Sequence, residues 1–235
     1  MNTTINVYPR LVEVPTFEQI LTLSTAKLRE FLTDYGIVFV GSKGWKVVPT
    51  VEVGLGYGQY DEPVPFDPRL PAVWDDSNGT YAWFAVAAFC GRNRAATFGG
   101  FTGRKRKVDE SELGFWDEQI STNERAAPKR ELIEWCLKNR YYWQFGKEKH
   151  TGGVVGLAYG LVAGAVAQLT EGFIFSKDGA WEADRFPATA EELFSWYFRP
   201  ELTTEAYYKQ RVERDLKMIT EGEETDWDEY EWNKR

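Results

Sequence analysis

An α+β fold is predicted by three features of the 235-residue sequence. Short runs of β-branched and aromatic residues, bounded by Gly, Pro or Asn, alternate with stretches whose apolar residues recur at helical spacing. One run, TYAWFAVAAFC at residues 80–90, is almost continuously apolar between Gly79 and Gly91, as a buried central strand would be. Glycine recurs at 152, 156, 160 and 164 in an apolar stretch, so four glycines share one helical face that a neighbouring element can approach closely. The expected architecture is a mixed or antiparallel sheet packed against several helices, with the glycine-rich helix buried at its centre. A single α+β domain over residues 1–220 is expected, carrying an exposed charged insertion near 102–126. An acidic, aromatic tail at 221–235 follows it.

Taken in order, TINVY at residues 4–8 reads as a first strand, and Pro9 and Pro15 bracket an extended connector. Thr16 and Gln19 form a capping box ahead of Phe17, Ile20, Leu21, Ser24, Leu28, Phe31 and Leu32 on one helical stripe that ends near Gly36. Ile37–Val40 and Trp45–Val53 flank a Ser-Lys-Gly turn and predict a β-hairpin. Residues 54–79 are rich in glycine and proline and read as a long loop, a place where compact domains often carry function. Ala95–Phe101 pairs with the 80–90 strand across a basic turn, and RKRK at 104–107 followed by DESE at 109–112 defines the charged insertion.

Pro128 opens a helix with Leu132, Ile133, Cys136 and Leu137 on one side, running to about Tyr141 and ended by GKEKHTGG. The glycine-laddered helix comes next and stops at Gly172. Phe173–Ser176 and Ala180–Ala183 read as a hairpin about a Lys-Asp-Gly turn. Thr189 and Glu192 cap a helix bearing Leu193, Phe194, Trp196 and Tyr197, closed by Pro200. A last helix, from Thr203 or Thr204 to Thr220, places Tyr208, Val212, Leu216 and Ile219 on one face.

The chain carries 36 acids against 28 bases, a formal charge of -8, which disfavours nucleic acid or anionic lipid as a partner and suits a basic protein. Residues 201–235 hold eleven acids and six bases, so -5 of that charge lies near the C-terminus. Self-repulsion among the acids of the tail predicts mobility there until a partner neutralises them. Two cysteines, Cys90 and Cys136, are too few for a disulfide framework and fit a reducing compartment, and the N-terminal stretch lacks the pattern of a secretory signal. Cytoplasmic residence is the expectation. The uncharged stretch 151–170 has the length and glycine spacing of a membrane dimerisation helix, but it holds few large apolar residues and no anchoring pattern, so a buried soluble helix is expected.

No catalytic, cofactor-binding or metal-binding residue is assigned. His150 is the sole histidine, which excludes a two-histidine metal site, and its Lys149 and glycine neighbours suit a solvated loop. GLGYGQ has Gln59 where a dinucleotide fingerprint needs its third glycine, and in FGGFTGRK Arg104 stands between Gly103 and Lys105, which breaks a phosphate loop. Asp75 and Asp76 in WDDSNG resemble a calcium loop whose twelfth position would be Val86 in place of a bidentate Glu, so an Asx turn is expected.

The segment LTEGFIFSKDGAWEADRFPATAEELFSWYF, with Thr170, Gly172, Ile174, Asp178, Gly179, Trp181, Glu192 and Trp196, resembles immunity proteins of bacterial polymorphic toxin systems, of the broad type that includes immunity protein family 52. The resemblance implies a cytoplasmic protein without chemistry of its own that binds and neutralises a cognate toxin. Candidate partner-binding residues are Asp75 and Asp76 in the long loop and Asp226, Trp227, Asp228, Glu229, Tyr230 and Trp232 in the tail, whose aromatics among acids either tuck back onto the body or grip a basic partner. The alternative is a carbohydrate-active or other small-molecule enzyme with a Trp-rich groove over residues 54–84 and a carboxylate pair.

Overall fold

The computed structural model describes residues 2–40, 46–57, 62–72, 80–148 and 151–221. These form strands β1 (Asn2–Tyr8), β2 (Phe39–Val40), β3 (Lys46–Tyr57), β4 (Glu62–Val64), β5 (Thr80–Cys90), β6 (Asn93–Lys107), β7 (Tyr141–Glu148), β8 (Phe173–Phe175) and β9 (Ala188–Thr189). The helices are α1 (Phe17–Asp34), α2 (Glu110–Thr122), α3 (Arg130–Leu137), α4 (Gly153–Leu169), α5 (Ala190–Trp196) and α6 (Ala206–Glu221). The strands make one sheet in the order β2-β3-β5-β6-β7-β1-β8-β9, with β4 also on β3, and every described pairing is antiparallel. The α+β expectation and its antiparallel form are met.

Register separates the two faces of the sheet. Ile5, Phe145, Gly103 and Ala82 stand in one cross-strand row, and Thr3, Lys147, Phe101 and Phe84 line the same side. Helix α4 lies on this side: the Tyr159 hydroxyl donates to the carbonyls of Thr3 (3.0 Å) and Phe145 (3.1 Å), and its ring meets Phe101 edge-on. From Gly153 to Ala167 every residue of α4 is buried. Its glycines face away from the sheet, towards α5 and α6. A methyl placed on Gly160 would fall inside the Tyr197 ring, one on Gly164 would strike Phe194, and one on Gly152 would meet the Asp215 carboxylate. The ladder therefore admits aromatic rings rather than another backbone.

Helix α1 closes the edge of β3 left free between β2 and β4. Its Thr25 hydroxyl accepts the Val51 N–H at 3.0 Å, Arg29 donates to the Pro49 carbonyl at 3.3 Å, and Pro49 itself has no N–H to offer. The capping box predicted for this helix is present, since Thr16 Oγ1 accepts from the Gln19 N–H and the Gln19 side chain accepts from the Thr16 N–H.

Four expectations are corrected. Residues 102–126 are not an exposed insertion: β6 continues to Lys107, and α2 follows after two residues. The cations of RKRK lie along a strand paired to β7, Arg104 stacking on Tyr81 and Lys105 on Tyr141. Asp109 caps α2 and Glu110 and Glu112 fill its first turn, where negative charge meets the positive helix end. Trp116 of α2 is fully buried against Tyr8, Phe173 and Phe175 on the second face of the sheet.

Residues 141–148 form β7, a central strand between β6 and β1, where the sequence predicts a helix running to about Tyr141 and ended by GKEKHTGG; α3 stops at Leu137. The alternation of YYWQFGKE carries it, because Trp143, Phe145 and Lys147 are buried while their neighbours are less so. Ala180–Ala183 is not the return strand of a hairpin, and β8 pairs instead with β9. Trp181 enters a ring cluster with Trp196, Tyr197, Phe198 and Tyr208, which holds its backbone out of the sheet. Within 54–79, β3 runs on to Tyr57 and β4 pairs with it, so only part of this stretch is loop.

Candidate functional site

The sequence-predicted partner residues Asp75, Asp76, Asp226, Trp227, Asp228, Glu229, Tyr230 and Trp232 all lie outside the described residues, as does His150. The chemistry that can be placed lies elsewhere. One polar cluster sits where the end of β7, the first turn of α4 and the middle of α6 meet. Lys147, 2 % exposed, donates to the Thr151 carbonyl at 2.6 Å and to the Glu148 carbonyl at 3.3 Å. Burial, helped by the nearby Arg211, pulls its ammonium down to about 8, against the opposing pull of Asp215.

Asp215 is fully buried. One of its oxygens, Oδ1, accepts Arg214 Nη2 at 2.9 Å, while Oδ2 has no hydrogen-bond partner and lies 4.0 Å from Arg211 Nε. The carboxylate packs on Gly152, so it stands at the positive end of α4, where a carboxylate is stabilised. Beside it runs a groove of about 510 Å³ lined by Gly152, Tyr207, Gln210, Arg211, Arg214, Asp215 and Met218. Lys147 does not line this groove, and its bonds to carbonyls anchor the β7–α4 turn.

Other carboxylates, two of them buried, also hold elements together. Glu112 accepts from the Tyr8 hydroxyl and from Lys177 at 2.7 Å, fixing α2 to β1. Glu182 accepts the Thr204 N–H (2.6 Å), the Thr204 hydroxyl (2.8 Å) and Arg185 Nε (2.8 Å), which positions the start of α6. Glu192 closes the capping box of α5 and pairs with Lys129 at 3.0 Å. Each described groove is lined by at most one carboxylate. Among the described residues, no group of three His, Cys, Asp or Glu side chains is gathered as metal ligands. Cys136 is buried, which pushes its thiol up to about 12 and keeps it in the unreactive form.

A second feature is an exposed anchor on α3. Trp135 is 50 % exposed, with Lys138 Nζ 4.8 Å and the Arg10 guanidinium 5.8 Å from its ring centre. Beside Arg10, Leu11 and Val12 are exposed on a connector whose backbone is tied down. Arg10 and Leu11 N–H groups both donate to the Thr170 carbonyl, and Asn139 Nδ2 donates to the carbonyls of Pro9 and Arg10. A hollow of about 350 Å³ between Arg10, Pro128, Leu132 and Trp135 adjoins the ring.

Sequence reasoning missed both features. Lys147 was findable from the alternation of 141–148, which places it beside Phe145 on the core side. Nothing in the sequence marks Asp215, whose cluster depends on a helix arriving from sixty residues downstream. Among the described residues no helix is long and apolar enough to cross a membrane. No family model, no curated protein and no solved structure matches the chain.

Proposed function

We propose that this chain is a non-enzymatic binding protein that neutralises a cognate bacterial toxin by direct contact, the role implied by the resemblance of its 169–198 segment to polymorphic-toxin immunity proteins. The observation that carries this reading is the surface at Trp135. A half-exposed tryptophan flanked by two cations, beside Leu11 and Val12 on a tied-down connector, has the residue types and the rigidity of a protein-binding hot spot. Tryptophan and arginine are the side chains most enriched at such centres.

The carbohydrate-enzyme reading needs two carboxylates facing one cleft, and the buried carboxylates Glu112 and Glu182 and the half-buried Glu192 are each engaged in joining elements. The test is to read the neighbouring reading frames for a toxin and to co-express its product with this chain in a sensitive bacterium; neighbours without a toxin would count against the proposal. Survival together with a co-purifying complex is the expected result. Growth arrest despite full expression of both proteins, with no complex, would overturn the proposal.

A further inference from the structure

The strand order puts β2 at one end of the sheet, and among the described residues no strand pairs with its outer edge. Register sets which of its groups point outward. Val51 presents its N–H and Pro49 its carbonyl to α1, so Val47, the next alternate residue, turns the same way, towards Phe39, its partner in β2. The backbone N–H and C=O groups of Val38 and Val40 therefore face away from the sheet. Their side chains are 60 % and 54 % exposed. Residues 37–40 contain none of the charges or prolines that blunt natural sheet edges.

A groove of about 380 Å³ adjoins this edge, lined by the last turns of α1, residues 36–39 and residues 46–49. Its walls are mostly apolar, from Leu32, Ile37, Phe39 and Val47, and none of its lining residues is an acid. It holds two exposed cations, Arg29 and Lys46. Arg29 donates to the Pro49 carbonyl at 3.3 Å and to the Thr50 hydroxyl at 3.1 Å, both neutral acceptors. Lys46 makes no ion pair with any described residue.

We propose that this edge takes an extended segment of another protein, which adds to β2 as an antiparallel strand and carries acidic side chains between apolar ones. Backbone bonds to Val38 and Val40 supply the pairing, apolar side chains cover both valines, and carboxylates meet Arg29 and Lys46. A second copy of this chain lacks that chemistry. Pairing β2 with β2 about a twofold axis brings both sets of cations to one interface, and the groove offers no acid to neutralise them. Trp135 lies on α3, which packs on β1 and β8 towards the other end of the sheet, so the two surfaces are separate and this inference does not depend on the first.

The experiment uses the full chain and a panel of short synthetic peptides with valine or phenylalanine at alternate positions and glutamate, threonine or lysine between them. Glutamate peptides are expected to be retained and lysine peptides to be lost. Fluorescence anisotropy on the tightest peptide should show about tenfold weaker binding for Lys46→Glu, and a similar loss for the wild type at high salt. Val40→Pro removes an outward donor without breaking a ladder bond and should also weaken binding about tenfold. Urea midpoints check that each variant is folded. Methylating every backbone nitrogen of the peptide should abolish binding. No retained peptide, or equal retention of glutamate and lysine peptides, would overturn the proposal. A methylated peptide that binds as well as its parent would overturn it too, leaving the groove to a lone carboxylate. Self-association of the free chain that Val40→Pro abolishes would give the edge to a second copy and equally overturn it.

Discussion

The Tyr197 ring lies across Gly160 and its hydroxyl donates to the Gly156 carbonyl at 2.6 Å, so one side chain of the α5 segment covers two steps of the α4 glycine ladder. Trp181 and Phe198 also pack on this ring, at 4.6 Å and 5.8 Å between centroids. Gly160→Ala gains about 1 kcal/mol of helix propensity but forces a methyl into the ring. A net loss of roughly 1–3 kcal/mol is expected from overpacking. Urea denaturation measures it, and combining Gly160→Ala with Tyr197→Leu should recover part of the loss. Additive losses in the pair would mean that the ring and the glycine are not coupled.

This contact shows which part of the fold was legible in the sequence. Spacing of four identified a face that some element covers closely, because only glycine leaves such a face bare. Identifying the cover as Tyr197, Phe194 and Phe198 requires knowing that the chain returns after β8 and β9 to lay α5 over α4. The same limit explains the charged stretch. Local composition read 102–126 as solvated, yet Glu112 is turned inward by the Tyr8 hydroxyl and Lys177, partners 104 and 65 residues away. Capping boxes at Thr16 and Thr189 were read correctly because both partners lie within three residues of one another.

Lys147 makes stability depend on pH in the alkaline range. Its folded-state pKa, near 8, lies below the 10.5 of an unfolded lysine, so between these values the unfolded chain binds the extra proton. Stability therefore rises with pH across that window, by roughly 2 kcal/mol from pH 8 to 10. Burial acts oppositely on Tyr8 and Tyr159, raising both well above 10.0, and the stability they contribute is lost as pH climbs past 10. A maximum near pH 10 is expected in urea midpoints. Lys147→Met should flatten the rising limb and leave the falling one, and an unchanged rising limb would show that another group titrates there.

Glu182 anchors the entry to α6. Burial alone would raise its pKa, but bonds from the Glu205 N–H, the Thr204 hydroxyl and Arg185 outweigh it and hold the carboxyl below its ordinary value. Because the folded pKa is lowered, this contribution is present above pH 4.5 and is lost as pH falls through the folded value. Glu182→Ala removes the acceptor that these donors share at the start of α6 and is expected to cost about 1–2 kcal/mol. Amide exchange should quicken first at residues 204–212. Uniform acceleration across the sheet would instead indicate that α6 does not open separately.

Trp135 separates binding from folding. Half its surface faces solvent, so Trp135→Ala should change stability by no more than about 0.5–1 kcal/mol. Under the proposed function the same change should weaken the toxin complex by about 2 kcal/mol, some thirtyfold in Kd. Arg10→Ala should follow it in part, because the guanidinium both stacks on the ring and pairs with Glu171 at 3.4 Å. The predicted tail residues supply the comparison: Asp226, Asp228 and Glu229 changed to Lys should weaken binding only if the partner grips the tail. Titration calorimetry on the purified pair reads all three variants. A tight complex indifferent to Trp135→Ala and Arg10→Ala but abolished by the tail reversal would move the interface from α3 to the C-terminus, and the opposite pattern would fix it at the tryptophan.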